Sequence, residues 1–84
     1  DSDRIDEAIQ TYRQALDTAP DDPVLHYELG DAYFQKARTD PAALPLARTA
    51  YEQFLKIWKG PRAYAENARR QIAEIQARLS GGGR

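Results

Sequence analysis

The sequence predicts an all-α fold of four helices, and three observations predict it. Residues 5–19 place Ile5, Ala8, Ile9, Tyr12, Ala15, Leu16 and Ala19 at steps of three and one, the spacing of one continuous helical face. No stretch alternates apolar and polar residues as a half-buried strand would. The first helix also has an echo. "IDEAIQTYRQALDTAP" aligns with "LPLARTAYEQFLKIWKGP", pairing Ala8 with Ala47, Tyr12 with Tyr51, Ala15 with Phe54 and Leu16 with Leu55 at a constant offset of 39. Internal repeats at such a period point to stacked helical pairs.

The first helix is expected over about 3–19. Ser2 or Asp3 caps its start, Asp6 and Glu7 suit the positive end of the helix dipole, and Pro20 disfavours helix in the residue before it. Asp22-Pro23 reads as the cap and first residue of a second helix over 23–37, with Leu25, Leu29, Ala32, Tyr33 and the Lys36 stem facing inward. Gly30 falls inside that helix, where glycine costs about 1 kcal/mol relative to alanine. Close approach of a neighbouring helix would offset this cost.

Asp40-Pro41 repeats the cap-plus-proline start for a third helix over 41–58, carrying Ala47, Ala50, Tyr51, Phe54, Leu55 and Trp58 on one face. Pro45 makes its first turn kinked or separate, and Gly60-Pro61 stops it. The fourth helix, 62–79, has a narrower stripe of Ala65, Ala68, Ile72, Ile75 and Leu79. Residues 1–79 thus form one domain, and residues 80–84 read as a flexible Gly-rich tail or an engineered scar. The chain opens on Asp1 rather than Met, which suits a processed product or an excised piece.

Composition narrows the chemistry. A chain of 84 residues holds one small core. Without cysteine it has neither a disulfide framework nor a thiolate. No apolar run approaches the roughly 18–20 residues needed to cross a bilayer, and no membrane partner is expected. His26 is the single histidine; Asp22 lies four residues before it, but Asp22 serves better as a cap, and two ligands make no zinc site. No glycine-rich loop opens a helix in the phosphate-binding pattern. The expectation is therefore no catalytic residue, no metal, no cofactor and no enzyme. Lys56, Lys59, Arg62, Arg69 and Arg70 lie near Trp58 and Tyr64, yet the chain as a whole is not basic, with a net charge of −1. These cations read as a solvated face rather than a nucleic-acid site. The net charge hides a split. Residues 1–42 carry ten acidic and four basic residues, a net of −6, and residues 43–84 carry three acidic and eight basic, a net of +5.

The residues also resemble a known family. "EAIQTYRQALDTAPDD" resembles the second helix of a tetratricopeptide repeat through Ala8, Tyr12, Ala15 and Pro20. "PVLHYELGDAYFQKA" resembles a first helix through Leu29, Gly30 and Tyr33, with His26 where the family usually has Trp. "LARTAYEQFLKIWKGP" resembles the second helix again. About five extra residues lie between Ala37 and Ala47, and the fourth helix looks more like a capping helix. The resemblance covers roughly residues 3–60, about one and a half to two repeats. It implies a short right-handed α-solenoid whose first helices line a concave groove for a partner peptide or protein. Carried over residue by residue, Val24, Tyr27, Asp31, Phe34 and Gln35 face that groove; the alternative is that Tyr27 and Phe34 pack on the fourth helix. Members that clamp a C-terminal carboxylate use Lys and Asn where this chain has Tyr27 and Asp31, so that ligand is not implied.

The helix order begins and ends halfway through a repeat. A second arrangement follows, in which the fourth helix of one copy stacks on the first helix of the next to give a homo-oligomeric ring or a filament. Ile5 and Ile9 at one end and Ile72, Ile75 and Leu79 at the other are the residues expected to meet. The opposite charges of the two halves favour such a contact. Localisation has no signal in the chain.

Overall fold

A computed structural model describes residues 2–81, which fold into four helices joined by short connections. They are α1 (Ser2–Thr18), α2 (Pro23–Lys36), α3 (Leu44–Ile57) and α4 (Arg62–Gly81), with a 3-10 turn at Pro41–Ala43 before α3. The described residues contain no strand and follow the all-α, helix-repeat architecture read from the sequence.

The starts of α2 and of the 3-10 turn rest on the same device. Asp22 Oδ1 accepts a hydrogen bond from the Val24 amide at 3.0 Å, and Asp40 Oδ1 accepts one from the Ala42 amide at 3.2 Å. Each cap is followed by a proline whose missing N–H falls where the helix has no partner for one. Such a cap contributes about 1 kcal/mol. Pro45 resolves as the separate-turn alternative: the 3-10 turn takes residues 41–43 and α3 begins at Leu44 with proline in its first turn. At the far end the helix runs further than expected. Ser80 and Gly81, expected in a tail, belong to α4, and residues 82–84 lie outside the described residues.

α3 is the centre of the molecule, packed between α2 and α4, while α1 packs chiefly on α2. Tyr51, Phe54, Ala47, Ala68 and Ile75 form the main core with Leu44, Ala43 and Ala37. Ile9, Leu29, Ala32 and Ala50 form a second cluster where α1 meets α2. The two copies of the repeated tyrosine differ accordingly. Tyr51, with helices on both sides, is 0% exposed, whereas Tyr12 is half-buried.

Gly30 occupies the tightest crossing. A Cβ there would lie 2.9 Å from both Cδ1 and Cε1 of the Tyr51 ring. Gly30→Ala should therefore lower stability although it improves helix propensity. The gain is about 1 kcal/mol; overpacking a filled core typically costs about 1–3 kcal/mol. The ring has little room to retreat, because it is fully buried and its hydroxyl is bound by Asp31. We expect a net loss of about 1 kcal/mol, read as a fall in Tm of roughly 4–8 °C. A rise in Tm would show that the ring yields.

Candidate functional site

The side of α2 that faces α4 is a trough made of two hollows that meet at Asp31. The first, about 410 Å³, is walled by Val24, Tyr27, Glu28 and Asp31 of α2, Phe54 of α3 and Tyr64 of α4, with Trp58 beside them. The second, about 390 Å³, has Phe34, Gln35 and Arg38 on the α2 side, Tyr51 beneath, and Gln71 and Arg78 on the α4 side.

Aromatic packing shapes the first hollow. Phe54, in the last turn of α3, and Trp58, the extended residue just past its end, stack with centroids 5.2 Å apart and planes at 27°. Tyr64 meets Trp58 edge-on at 5.5 Å, and Tyr27 meets Phe54 edge-on at 4.8 Å. The Gly60-Pro61 turn makes this possible. The Trp58 indole N–H donates to the Pro61 carbonyl at 2.9 Å, and the ring passes so close over Gly60 that a Cβ there would be 2.4 Å from Cζ2. Glycine at 60 is thus required by a close approach. Val24 and Tyr64 remain 50% and 53% exposed on opposite walls of the hollow.

Polar contacts join α2 to its neighbours along the trough. The Tyr51 hydroxyl donates to Asp31 Oδ1, and the Asn67 amide donates to the Tyr27 hydroxyl. Burial, then the Asp31 hydrogen bond, pushes the Tyr51 phenol far above its ordinary value. In the second hollow the Arg78 guanidinium stands over the Phe34 ring, 5.1 Å from its centroid, held by Glu74 Oε2 at 2.9 Å. Outside the trough, Lys36 donates to Asp6 Oδ1 and joins α2 to α1; the hydrogen bond to Asp6 raises the lysine's pKa.

The five groove residues expected from the sequence divide between the hollows. Val24 and Tyr27 line the first, Phe34 and Gln35 the second, and Asp31 both. Tyr27 and Phe34 also make the contacts with α4 that were the alternative reading: Tyr27 accepts from Asn67, and Phe34 lies under Arg78. Sequence reasoning missed Glu28, Trp58, Tyr64 and Arg78 as wall residues. Glu28 was within reach of it, since position 28 shares a helix face with 24 and 31. Trp58 and Tyr64 flank the Gly60-Pro61 turn, and a turn brings its flanks together.

Two of the expected end residues require correction. Ile9 is 7% exposed and Ile75 0% exposed, so both belong to this chain's own core and neither is presented to a second copy. The periodic stripe marked their apolar face correctly, but that face is covered by α2 in one case and by the α3 core in the other. Ile5 and Ile72 are half-buried, and Leu79 is 41% exposed. His26 has a structural contact: Nε2 lies 2.8 Å from the Pro20 carbonyl, which only accepts, so this nitrogen carries the proton. Among the described residues no cluster of three potential metal ligands occurs, and no helix is long and apolar enough to cross a membrane.

No curated protein and no solved structure matches the chain. The family model for the TPR repeat matches residues 1–36, which comprise α1 and α2. That match supports a tetratricopeptide-repeat assignment for residues 1–36, and the return of the α1 pattern in α3, with its tight Gly30–Tyr51 crossing, carries the helical-repeat arrangement beyond them.

Proposed function

We propose that this chain is a protein-interaction module that takes a peptide or an extended protein segment along the trough between α2 and α4. Tetratricopeptide repeats mediate protein–protein interaction and are non-catalytic modules. One observation carries the assignment to this face: Val24 and Tyr64, two large apolar side chains, stay half-exposed on facing walls of one hollow. Tyrosine is among the residues in which interface energy concentrates, and Val24 gives Tyr64 an apolar surface across the hollow. The reading assigns no role to a metal, a cofactor, nucleic acid or a membrane.

The test is a displayed library of random twelve-residue peptides selected on the chain, with affinities of the recovered peptides measured by calorimetry. The doubly substituted chain Val24→Ser/Tyr64→Ser should bind them at least tenfold more weakly, as loss of an interface anchor does, while its thermal unfolding shifts little. Undiminished binding would move the site elsewhere. Tyr27→Ala is the wrong probe, because Tyr27 packs on Tyr51 and Phe54 and bonds to Asn67.

The second reading, head-to-tail stacking of copies, draws its support from the charge split of −6 against +5 and from Leu79, left exposed near the end of α4. Light scattering after size exclusion distinguishes it. Stacking through the charged halves gives a mass that grows with concentration and falls with salt. A monomer in both conditions sinks it.

A further inference from the structure

We infer that the first hollow of the trough selects a basic side chain, an arginine or lysine of a partner protein, as its occupant. This rests on the trough being the binding face. The chemistry of the walls argues for the charge. Aromatic rings carry negative potential on their faces and attract cations placed over them, and here Tyr27, Trp58 and Tyr64 line one cavity, backed by the buried Phe54 ring. Two carboxylates, Glu28 and Asp31, stand on the same wall. Asp31 offers one oxygen to Tyr51 and keeps the other. Glu28 makes no ion pair among the described residues.

No lysine or arginine among the described residues lines this hollow. The neighbouring hollow supplies the contrast. There Arg38 and Arg78 are part of the wall, and Arg78 already covers Phe34. The chain thus places its own guanidinium over the aromatic ring of one of two adjoining hollows, and no cation of the described residues stands in the other. An acidic occupant would meet Glu28 and Asp31 as like charges. An apolar one would strip water from two carboxylates without replacing it. A basic side chain satisfies both the rings and the acids, and about 410 Å³ lies within the size range of small-ligand sites.

Three synthetic twelve-residue peptides, built on one sequence recovered from the library selection and differing only at one position as Arg, Gln or Glu, decide the matter. Trp58, the single tryptophan of the chain, reports occupancy through its emission. The Arg peptide should bind at least fivefold more tightly than the Gln peptide, and the Glu peptide weakest, with the preference shrinking as salt is raised. Glu28→Gln, an exposed change that leaves the helix intact, should reduce the Arg preference over the Gln peptide about threefold. Peptides that need Val24 and Tyr64 yet show no preference for Arg, or prefer Glu, would overturn the basic occupant and leave the trough standing. Binding that ignores Val24 and Tyr64, or no binding by any peptide, would overturn both. Concentration-dependent growth of the chain abolished by Glu28→Gln would identify the occupant as a second copy and overturn the partner assignment.

Discussion

Ile75→Ala is expected to cost about 2–5 kcal/mol, whereas Leu79→Ala, one turn further along the same stripe, is expected to cost under about 1 kcal/mol. Ile75 is 0% exposed and shares its cluster with Ala47, Tyr51 and Phe54, so truncation leaves a cavity that the surrounding rings cannot close. Leu79 is 41% exposed and loses contacts on one side only. Domains of this size have total stabilities of roughly 5–15 kcal/mol, so the first variant removes a large part of what holds the fold together. Urea unfolding followed by circular dichroism at 222 nm reads both. Equal small losses would mean that α4 is not docked on α3, and the trough would then lack its second wall. The same burial explains why Ile75→Asp would unfold the chain instead of dispersing an assembly.

Much of this architecture was legible residue by residue. Asp22-Pro23 and Asp40-Pro41 mark helix starts because an aspartate acceptor and a missing N–H are local chemistry, independent of what packs later. Gly30 announced a close neighbour because a mid-helix glycine is unfavourable unless its missing side chain is needed, and Tyr51 is that neighbour. Periodicity is weaker on how far an apolar stripe is covered. The stripe on α4 runs from Ala65 to Leu79, but α4 is six residues longer than α3, about 9 Å of helix. One end of it therefore outruns its cover, and Leu79 is that end. The trough was half legible. Val24, Tyr27 and Asp31 could be placed on one face of α2 from their spacing, but Trp58 and Tyr64 reach them across two helix crossings and a turn. Spacing along one helix carries no information about the angle at which the next one crosses.

Tyr51 is where stability and the site meet, and Tyr51→Ala is expected to cost about 3–5 kcal/mol, the range for removing a large buried aromatic. Tyr51→Phe isolates the hydroxyl and should cost about 1.5 kcal/mol, the low end for a hydrogen bond to a charged group, because this one is only part-buried and Asp31 is exposed. The milder variant also has a signature in alkali. The folded chain holds the phenolic proton above its ordinary value, through burial and then Asp31. Below about pH 10, the ordinary tyrosine value, folded and unfolded chains both keep that proton, and the stabilisation is complete. Above it the unfolded chain releases the proton while the folded chain retains it. Stability then falls by up to about 1.4 kcal/mol per pH unit for that proton, until the folded pKa is passed. The Lys36–Asp6 bond acts in the same direction, since its raised pKa also favours the folded chain below the ordinary lysine value and is lost above it. Urea midpoints between pH 8 and 11 should therefore decline less steeply for Tyr51→Phe than for the parent chain. An unchanged slope would assign the alkaline loss to Lys36, and the Asp31–Tyr51 hydrogen bond would not be the contact that fixes α3 against the trough.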